Sequence, residues 1–212
     1  MKLVFLRHGV TDHNRNHVIQ GWSPTSLHED GKAQAAAAGK ELAATRFSAV
    51  LCSPLPRAVE TAKIAMAEFA DKVAKLVEFD ALRERNFGEW ENKPADGFEA
   101  WAKEKRCSPW ELHPEQGESL EEFRARVVRF LDDDLPAFIE QNDLPDDACL
   151  LIVAHGGSLK VLLNELKHGE WGGDLVSALD VRLKNAQPVT VELKKEQLLE
   201  RRKKEKRSSG VG

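Results

Sequence analysis

Long apolar runs are missing from this chain of 212 residues; none approaches the roughly 20 residues that a bilayer-crossing helix needs. The opening Met1-Lys2-Leu3-Val4-Phe5-Leu6-Arg7-His8 has too short an apolar stretch for a secretory leader and no small-residue cleavage site. Leu3–Leu6 is therefore read as the first strand of the fold, and a cytoplasmic location is expected. Cysteine is scarce. Cys52, Cys107 and Cys149 are odd in number, far apart and without a C-x-x-C pair, which supports neither a disulfide framework nor a zinc knuckle. Internal repeats and low-complexity linkers are also lacking.

A net positive charge is lacking over most of the chain. The segment from Lys194 to Arg207 holds eight Lys/Arg and three Glu, a local net of +5, while the whole chain carries −4 and its other 198 residues therefore −9. An acidic body of this kind offers no electrostatic footprint for nucleic acid. The tail, residues 194–212, could touch an anionic surface; its simpler reading is a frayed, solvated helix ending in Ser-Ser-Gly-Val-Gly.

Apolar residues make up 42% of the chain and charged residues 31%, enough for a substantial core beneath an ordinary surface. One large domain over residues 1–193 fits that length better than two small ones. Continuous apolar runs at Leu3–Leu6, Ala49–Cys52 and Leu150–Ala154 predict strands buried on both faces, as in a parallel sheet. Leu76–Phe79 and Val181–Leu183 are weaker strands, and Val189–Leu193 alternates like a half-exposed one. Helices are predicted over Glu29–Ala44, from a Ser53-Pro54 start to about Ala70, after the Ser119/Glu122 capping box, and over Ser158–His168 closed by Gly169. Strands alternating with helices imply an α/β fold, a mainly parallel central sheet flanked by helices on both faces. Asn92–Gly117, rich in Trp, Pro, Lys and Glu without periodicity, reads as a partly helical insertion, a lid for a substrate.

Two of the strands end alike, in Arg7-His8-Gly9 and in His155-Gly156-Gly157. In open α/β sheets ligands bind at the carboxyl ends of strands, where the strand order reverses. If these strands are neighbours, both imidazoles face one crevice, and the glycines let the backbone pass close to a ligand. Neutral imidazole is a good nucleophile near neutral pH. A phosphoryl group carries charge on three oxygens that must be gripped and neutralised. Arg7 adjoins His8, and Arg57 follows the Ala49–Cys52 strand; two guanidinium groups grip phosphate bidentately and remove the need for a metal. A departing alcohol needs a proton from a carboxylic acid, for which Glu84, Glu89 and Glu91 are candidates.

These blocks resemble the histidine phosphatase superfamily, in the branch that includes the phosphoglycerate mutases. The resemblance runs from Leu3 to about Leu193. It rests on Leu6-Arg7-His8-Gly9 with Asn14, Gln20-Gly21-Trp22, Gly31 with Gln34-Ala35, Cys52-Ser53-Pro54-Leu55-Pro56-Arg57-Ala58 with Thr61-Ala62, Glu84 before Phe87-Gly88-Glu89-Trp90-Glu91, Gly117-Glu118-Ser119, and Ala154-His155-Gly156-Gly157. It implies that His8 is the phosphorylated nucleophile. Arg7, Arg57 and His155 would form the phosphate pocket, and Glu84 would be the proton donor. Asn14, Gln20, Gly21 and Gly156 would be substrate contacts. No metal, no cofactor and no nucleic-acid partner is implied; the partner is a small phosphorylated substrate, and a homodimer is compatible with the chain. The implied reaction is hydrolysis of a phosphomonoester, with alpha-ribazole phosphatases and fructose-2,6-bisphosphatase-like enzymes most similar in look. The alternatives are a phosphoglycerate mutase and a non-catalytic phosphate-binding protein. Mutases resemble this chain but have a longer stretch between the acid and the second histidine, here 71 residues from Glu84 to His155, and a Glu-Arg-His-Tyr-Gly block where this chain has Glu84-Arg85-Asn86-Phe87-Gly88. Val10 stands where the family commonly has Glu, and Asn92 where Gly follows the Trp-Glu pair. Asp132-Asp133-Asp134 is read as a solvated helix face, since adjacent helical side chains splay apart.

Overall fold

The computed structural model describes residues 1–69, 75–168, 175–180 and 183–208. Five strands form one sheet in the order β3-β2-β4-β1-β5. They are β1 (Lys2–Arg7), β2 (Ala49–Cys52), β3 (Leu76–Glu78), β4 (Cys149–Ala154) and β5 (Pro188–Glu192). The first four are mutually parallel and β5 runs antiparallel along β1. The parallel strands are the uninterrupted apolar runs of the sequence. Their alternate residues feed two cores, as a period of two requires. Leu3, Phe5, Leu51, Leu150 and Ile152 face one side, and Val4, Leu6, Val50, Leu151 and Val153 the other.

Helices cover both faces. On the side of Val4 and Leu6 lie α2 (Glu29–Glu41) and α3 (Pro56–Ala67). Here Gly39 lets the two helices approach; a Cβ on it would stand 2.5 Å from the Ala65 carbonyl oxygen. On the side of Leu3 and Phe5 lie α5 (Leu120–Arg129), α6 (Leu135–Gln141), α7 (Gly156–His168), α8 (Leu175–Asp180) and α9 (Lys195–Ser208). A short α1 (Asp12–Arg15) follows β1. Among the described residues no helix is long and apolar enough to cross a membrane.

The capping box at Ser119 and Glu122 forms as predicted. The start of α3 differs. It begins at Pro56 with Leu55 as the cap, and Ser53 makes no cap for it. The Ser53 hydroxyl instead accepts the Leu55 amide at 3.3 Å and lies 2.7 Å from His155 Nε2. The helix expected to run to about Ala70 ends at Ala67 with Glu68 as its cap; the strand expected at Val181–Leu183 and the Gly169 stop lie wholly or partly outside the described residues.

The segment read as a lid contains α4 (Ala95–Lys105) and a 3₁₀ turn at Pro109–Glu111. It has its own small core of Phe98, Ala102 and Leu112, with Trp90 and Trp101 stacked at 5.8 Å between centroids. Arg85, fully buried, ties it down by donating to the backbone carbonyls of Glu118, Trp110 and Leu112.

The basic tail is not a frayed, solvated helix at its start. Leu198 of α9 is 0% exposed in the main core, and Arg201 Nε donates to Asp132 Oδ1 at 2.6 Å. That contact also revises the reading of Asp132, which is buried rather than solvated. The reason is a π-helical turn over Phe130–Asp134 between α5 and α6, which rotates Asp132 inward from the open face a regular helix would give it.

Candidate active site

The strand register builds the site. Arg7 pairs with Ala154, so the residues after them, His8 and His155, leave adjacent parallel strands at the same height. Their ring centroids are 5.2 Å apart. β2 lies on the other side of β4 and delivers Ser53 beside them. This is the crevice at strand ends that the open sheet provides.

His8 is 2% exposed, and its Nδ1 lies 2.7 Å from the Gly9 carbonyl. A carbonyl only accepts, so Nδ1 carries the hydrogen and Nε2 keeps its lone pair. Burial holds the His8 pKa well below the usual histidine range, and Arg57 and Arg7 lower it further against a small opposing effect of the Gly9 bond. Burial, Arg57, His8, Arg7 and Arg126 do the same to His155. Both rings are therefore neutral near pH 7. The turn that presents His8 depends on small residues: a Cβ on Gly9 would stand 2.3 Å from the Gly31 carbonyl oxygen. It is tied down by Gly9 N donating to Thr61 Oγ1 at 3.0 Å and by Asn185 Nδ2 donating to the His8 carbonyl at 2.7 Å.

Arg57, in the first turn of α3, is almost wholly buried. Its Nη2 donates to the Gly21 carbonyl at 2.7 Å, and its Nη1 to the Ser23 carbonyl at 3.1 Å and to Thr25 Oγ1 at 3.2 Å. Its Nε, and Nδ1 of His155, are buried with no partner among the described residues. Burial lowers the Arg57 pKa to about 10, which leaves it charged at neutral pH. Arg7 Nη1 donates to the Leu183 carbonyl at 2.7 Å, and its guanidinium runs past the Cα of Gly156. Glu84 reaches the start of α7. Its Oε2 accepts the Gly157 amide at 2.9 Å and its Oε1 the Arg85 amide at 3.0 Å. A Cβ on Gly157 would stand 2.3 Å from Glu84 Oε1, so only glycine allows this approach. Among the described residues no group of three or more His, Cys, Asp or Glu side chains is placed to hold a metal.

A sequence profile of the histidine phosphatase superfamily (branch 1) matches residues 3–203. The chain belongs to that superfamily. A 2,3-bisphosphoglycerate-dependent phosphoglycerate mutase of Bartonella tribocorum is 30% identical over 181 residues, covering 82% of this chain and 85% of that one. An adenosylcobalamin/alpha-ribazole phosphatase of Salmonella typhimurium is 34% identical over 175 residues, covering 78% and 79%. The crystal structure of the alpha-ribazole phosphatase from Shigella flexneri superposes with a TM-score of 0.75 at 27% identity, covering 91% of each chain.

Within this histidine phosphatase fold, the other residues singled out in the sequence hold the loops. Thr11 caps α1 and Asn14 closes the capping box: the Asn14 amide donates to Thr11 Oγ1 at 3.1 Å and Asn14 Oδ1 accepts the Thr11 amide at 3.2 Å. Gln20 Oε1 accepts the hydroxyls of Thr11 and Thr25 at 2.9 and 2.8 Å. Gly21 adopts φ +50°, and a Cβ there would stand 2.1 Å from Glu91 Oε1. Glu91, one of the three candidate acids, is used up structurally; it accepts the amides of Trp22 and Phe87 and the Ser23 hydroxyl. Sequence reasoning passed over Ser53, Thr61, Trp22, Arg126 and Asn185. The first three lie inside the family blocks and so carried a signal. Asn185 meets the His8 carbonyl 177 positions away, a contact that no local pattern announces.

Proposed function

We propose that this chain is a metal-independent phosphomonoesterase that hydrolyses a small phosphorylated metabolite through phosphohistidine on His8. One observation carries the reading: a neutral, buried imidazole, its Nδ1 committed to the Gly9 carbonyl and its Nε2 free, lies beside guanidinium groups and two buried nitrogens without partners. Those orphaned nitrogens, Arg57 Nε and His155 Nδ1, fit an anion that completes their bonding.

In the first step the Nε2 lone pair of His8 forms a bond to phosphorus as the phosphorus–ester oxygen bond breaks. Glu84 gives its proton to the leaving oxygen. The imidazole becomes positive, and the Gly9 carbonyl holds its Nδ1–H. Arg7, Arg57 and His155 balance the charge on the equatorial oxygens. In the second step water attacks phosphorus and gives a proton to the Glu84 carboxylate. The electron pair of the nitrogen–phosphorus bond returns to His8, and inorganic phosphate leaves.

Alpha-ribazole phosphate is the substrate to test first, because the relatives from Salmonella typhimurium and Shigella flexneri bear that name. The mutase reading is the competitor. The Bartonella tribocorum relative covers near-equal shares of the two chains, so a longer stretch does not set that mutase apart. The Asn86-Phe87 pair in place of the His-Tyr of the mutase block still favours hydrolysis. The purified chain should release phosphate from p-nitrophenyl phosphate in EDTA and yield an acid-labile phosphoprotein on rapid quench. His8→Ala should fall below about one thousandth of that rate. Normal turnover by His8→Ala, or conversion of 3- to 2-phosphoglycerate with added bisphosphoglycerate at a rate exceeding phosphate release, overturns the proposal.

A further inference from the structure

The Glu84 carboxylate is held by two amides, but its backbone is held by something else. Arg126, on α5, lies mostly buried beneath the segment that carries the acid. Its Nη1 donates to the carbonyls of Ala81 at 3.0 Å and Arg83 at 3.1 Å, and its Nη2 to that of Glu84 at 3.0 Å. The guanidinium is kept in this orientation by Glu118, whose oxygens accept from Nε at 2.6 Å and Nη2 at 2.7 Å. The Glu84 carbonyl accepts a second donor, Trp22 Nε1, at 2.7 Å. Arg83 and Arg126 both lie against the Trp22 ring, at 4.9 and 5.6 Å from its centroid.

Trp22 is itself fixed from the other side. Its own amide donates to Glu91 at 2.8 Å, and the carbonyls of its neighbours Gly21 and Ser23 both accept from Arg57. One short loop therefore joins the arginine assigned to phosphate with the carboxyl assigned to the leaving oxygen.

We infer that Arg126 and Trp22 are positioning residues for general acid catalysis: they lock the Glu84 backbone at one distance from the phosphate clamp, so that its carboxyl meets the leaving oxygen. The inference rests on the function proposed above. An acid displaced by about 1 Å still leaves the phosphate bound but no longer protonates a poor leaving group. p-Nitrophenolate departs without a proton, whereas an alkoxide does not. The ratio of the two reactions therefore reads the position of the acid separately from the integrity of the fold.

The experiment compares kcat/KM for p-nitrophenyl phosphate and for glycerol 2-phosphate in wild type, Trp22→Phe, Arg126→Lys and Glu84→Gln. Trp22→Phe deletes the N–H and keeps an aromatic ring in place, so it remains informative should Arg126→Lys fail to fold. In both positioning variants the alkyl phosphate value should fall at least about ten-fold further than the aryl value, in the same direction as the larger split in Glu84→Gln. The basic limb of the alkyl phosphate pH profile should move with it. Equal losses on both substrates, or a split present in Glu84→Gln and missing from Trp22→Phe, overturn the inference and leave the phosphatase reading intact. A Glu84→Gln variant with no split overturns the acid assignment and the inference with it.

Discussion

Two arginines in this protein are buried to the same degree and are bonded differently. Arg57 is 1% exposed and Arg85 0%, and burial lowers the pKa of each to about 10. Arg85 uses all three of its nitrogens on backbone carbonyls, those of Glu118, Trp110 and Leu112. Arg57 uses two and, among the described residues, leaves Nε without a partner; Nδ1 of His155 is likewise without one. A buried cation with a bond at each of its nitrogens holds the chain around it. One with a donor to spare retains a desolvation cost that an anion would offset. Burial, charge and the number of hydrogen bonds, three for each, do not separate the two; which nitrogen is left over does.

The comparison can be broken in three ways. Arg85→Met should cause the largest loss of stability, about 3–5 kcal/mol in urea denaturation, because several buried carbonyls lose their donor together. Added phosphate should not restore the difference. A loss within 1 kcal/mol would mean that the small core of Phe98, Ala102 and Leu112 closes without Arg85. Next, inorganic phosphate at about one hundred times its dissociation constant should stabilise the wild type by about 2.7 kcal/mol. Arg57→Met should lose most of that increment while keeping its fold. Equal stabilisation of both proteins, followed by thermal unfolding, would show that Arg57 is as complete as Arg85.

The smallest effect concerns the histidines. His8 and His155 both have folded-state pKa values depressed below the unfolded value of about 6.5. Each binds a proton more readily when unfolded, so the stability they contribute is present above that value and is lost as pH falls below it. Stability should therefore fall steadily as pH drops below about 6.5, with both histidines contributing to the slope. His155→Gln should flatten the slope by about half. An unchanged slope would indicate that the imidazoles become charged in place, with the guanidinium groups moving away.

Much of this fold is legible in the sequence. The three apolar runs read as strands buried on both faces become the central strands, because such a strand has no polar alternation to blur it. The Arg7-His8-Gly9 and His155-Gly156-Gly157 endings point to the crevice for the same reason: strand ends in a parallel sheet open on one edge. What escapes is the chemistry of polar residues in the interior. Ser53 looks like a helix cap because serine before proline usually is one; the nearby imidazole of His155, 102 residues away, takes the hydroxyl instead. Arg126 sits in a run of charged helical residues and reads as surface, since nothing local reveals that three carbonyls of a distant turn lie over it. Asp132 reads as solvated because helical periodicity assumes 3.6 residues per turn, and the chain departs from that where it matters.

That departure has a consequence for how this helix can change. The turn over Phe130–Asp134 closes with the Leu135 amide reaching the Phe130 carbonyl, five residues back, just ahead of Pro136, which has no amide to give. The extra residue puts the two halves of the rod out of phase by about 100°. Upstream, Arg126 faces the acid; downstream, Phe138 and Ile139 face the core, with Asp132 turned to Arg201 between them. Removing a single residue from the turn would bring the halves back into step. The rod could then keep its partners before the turn or those after it, but not both, so insertions and deletions are far less tolerable here than side-chain replacements.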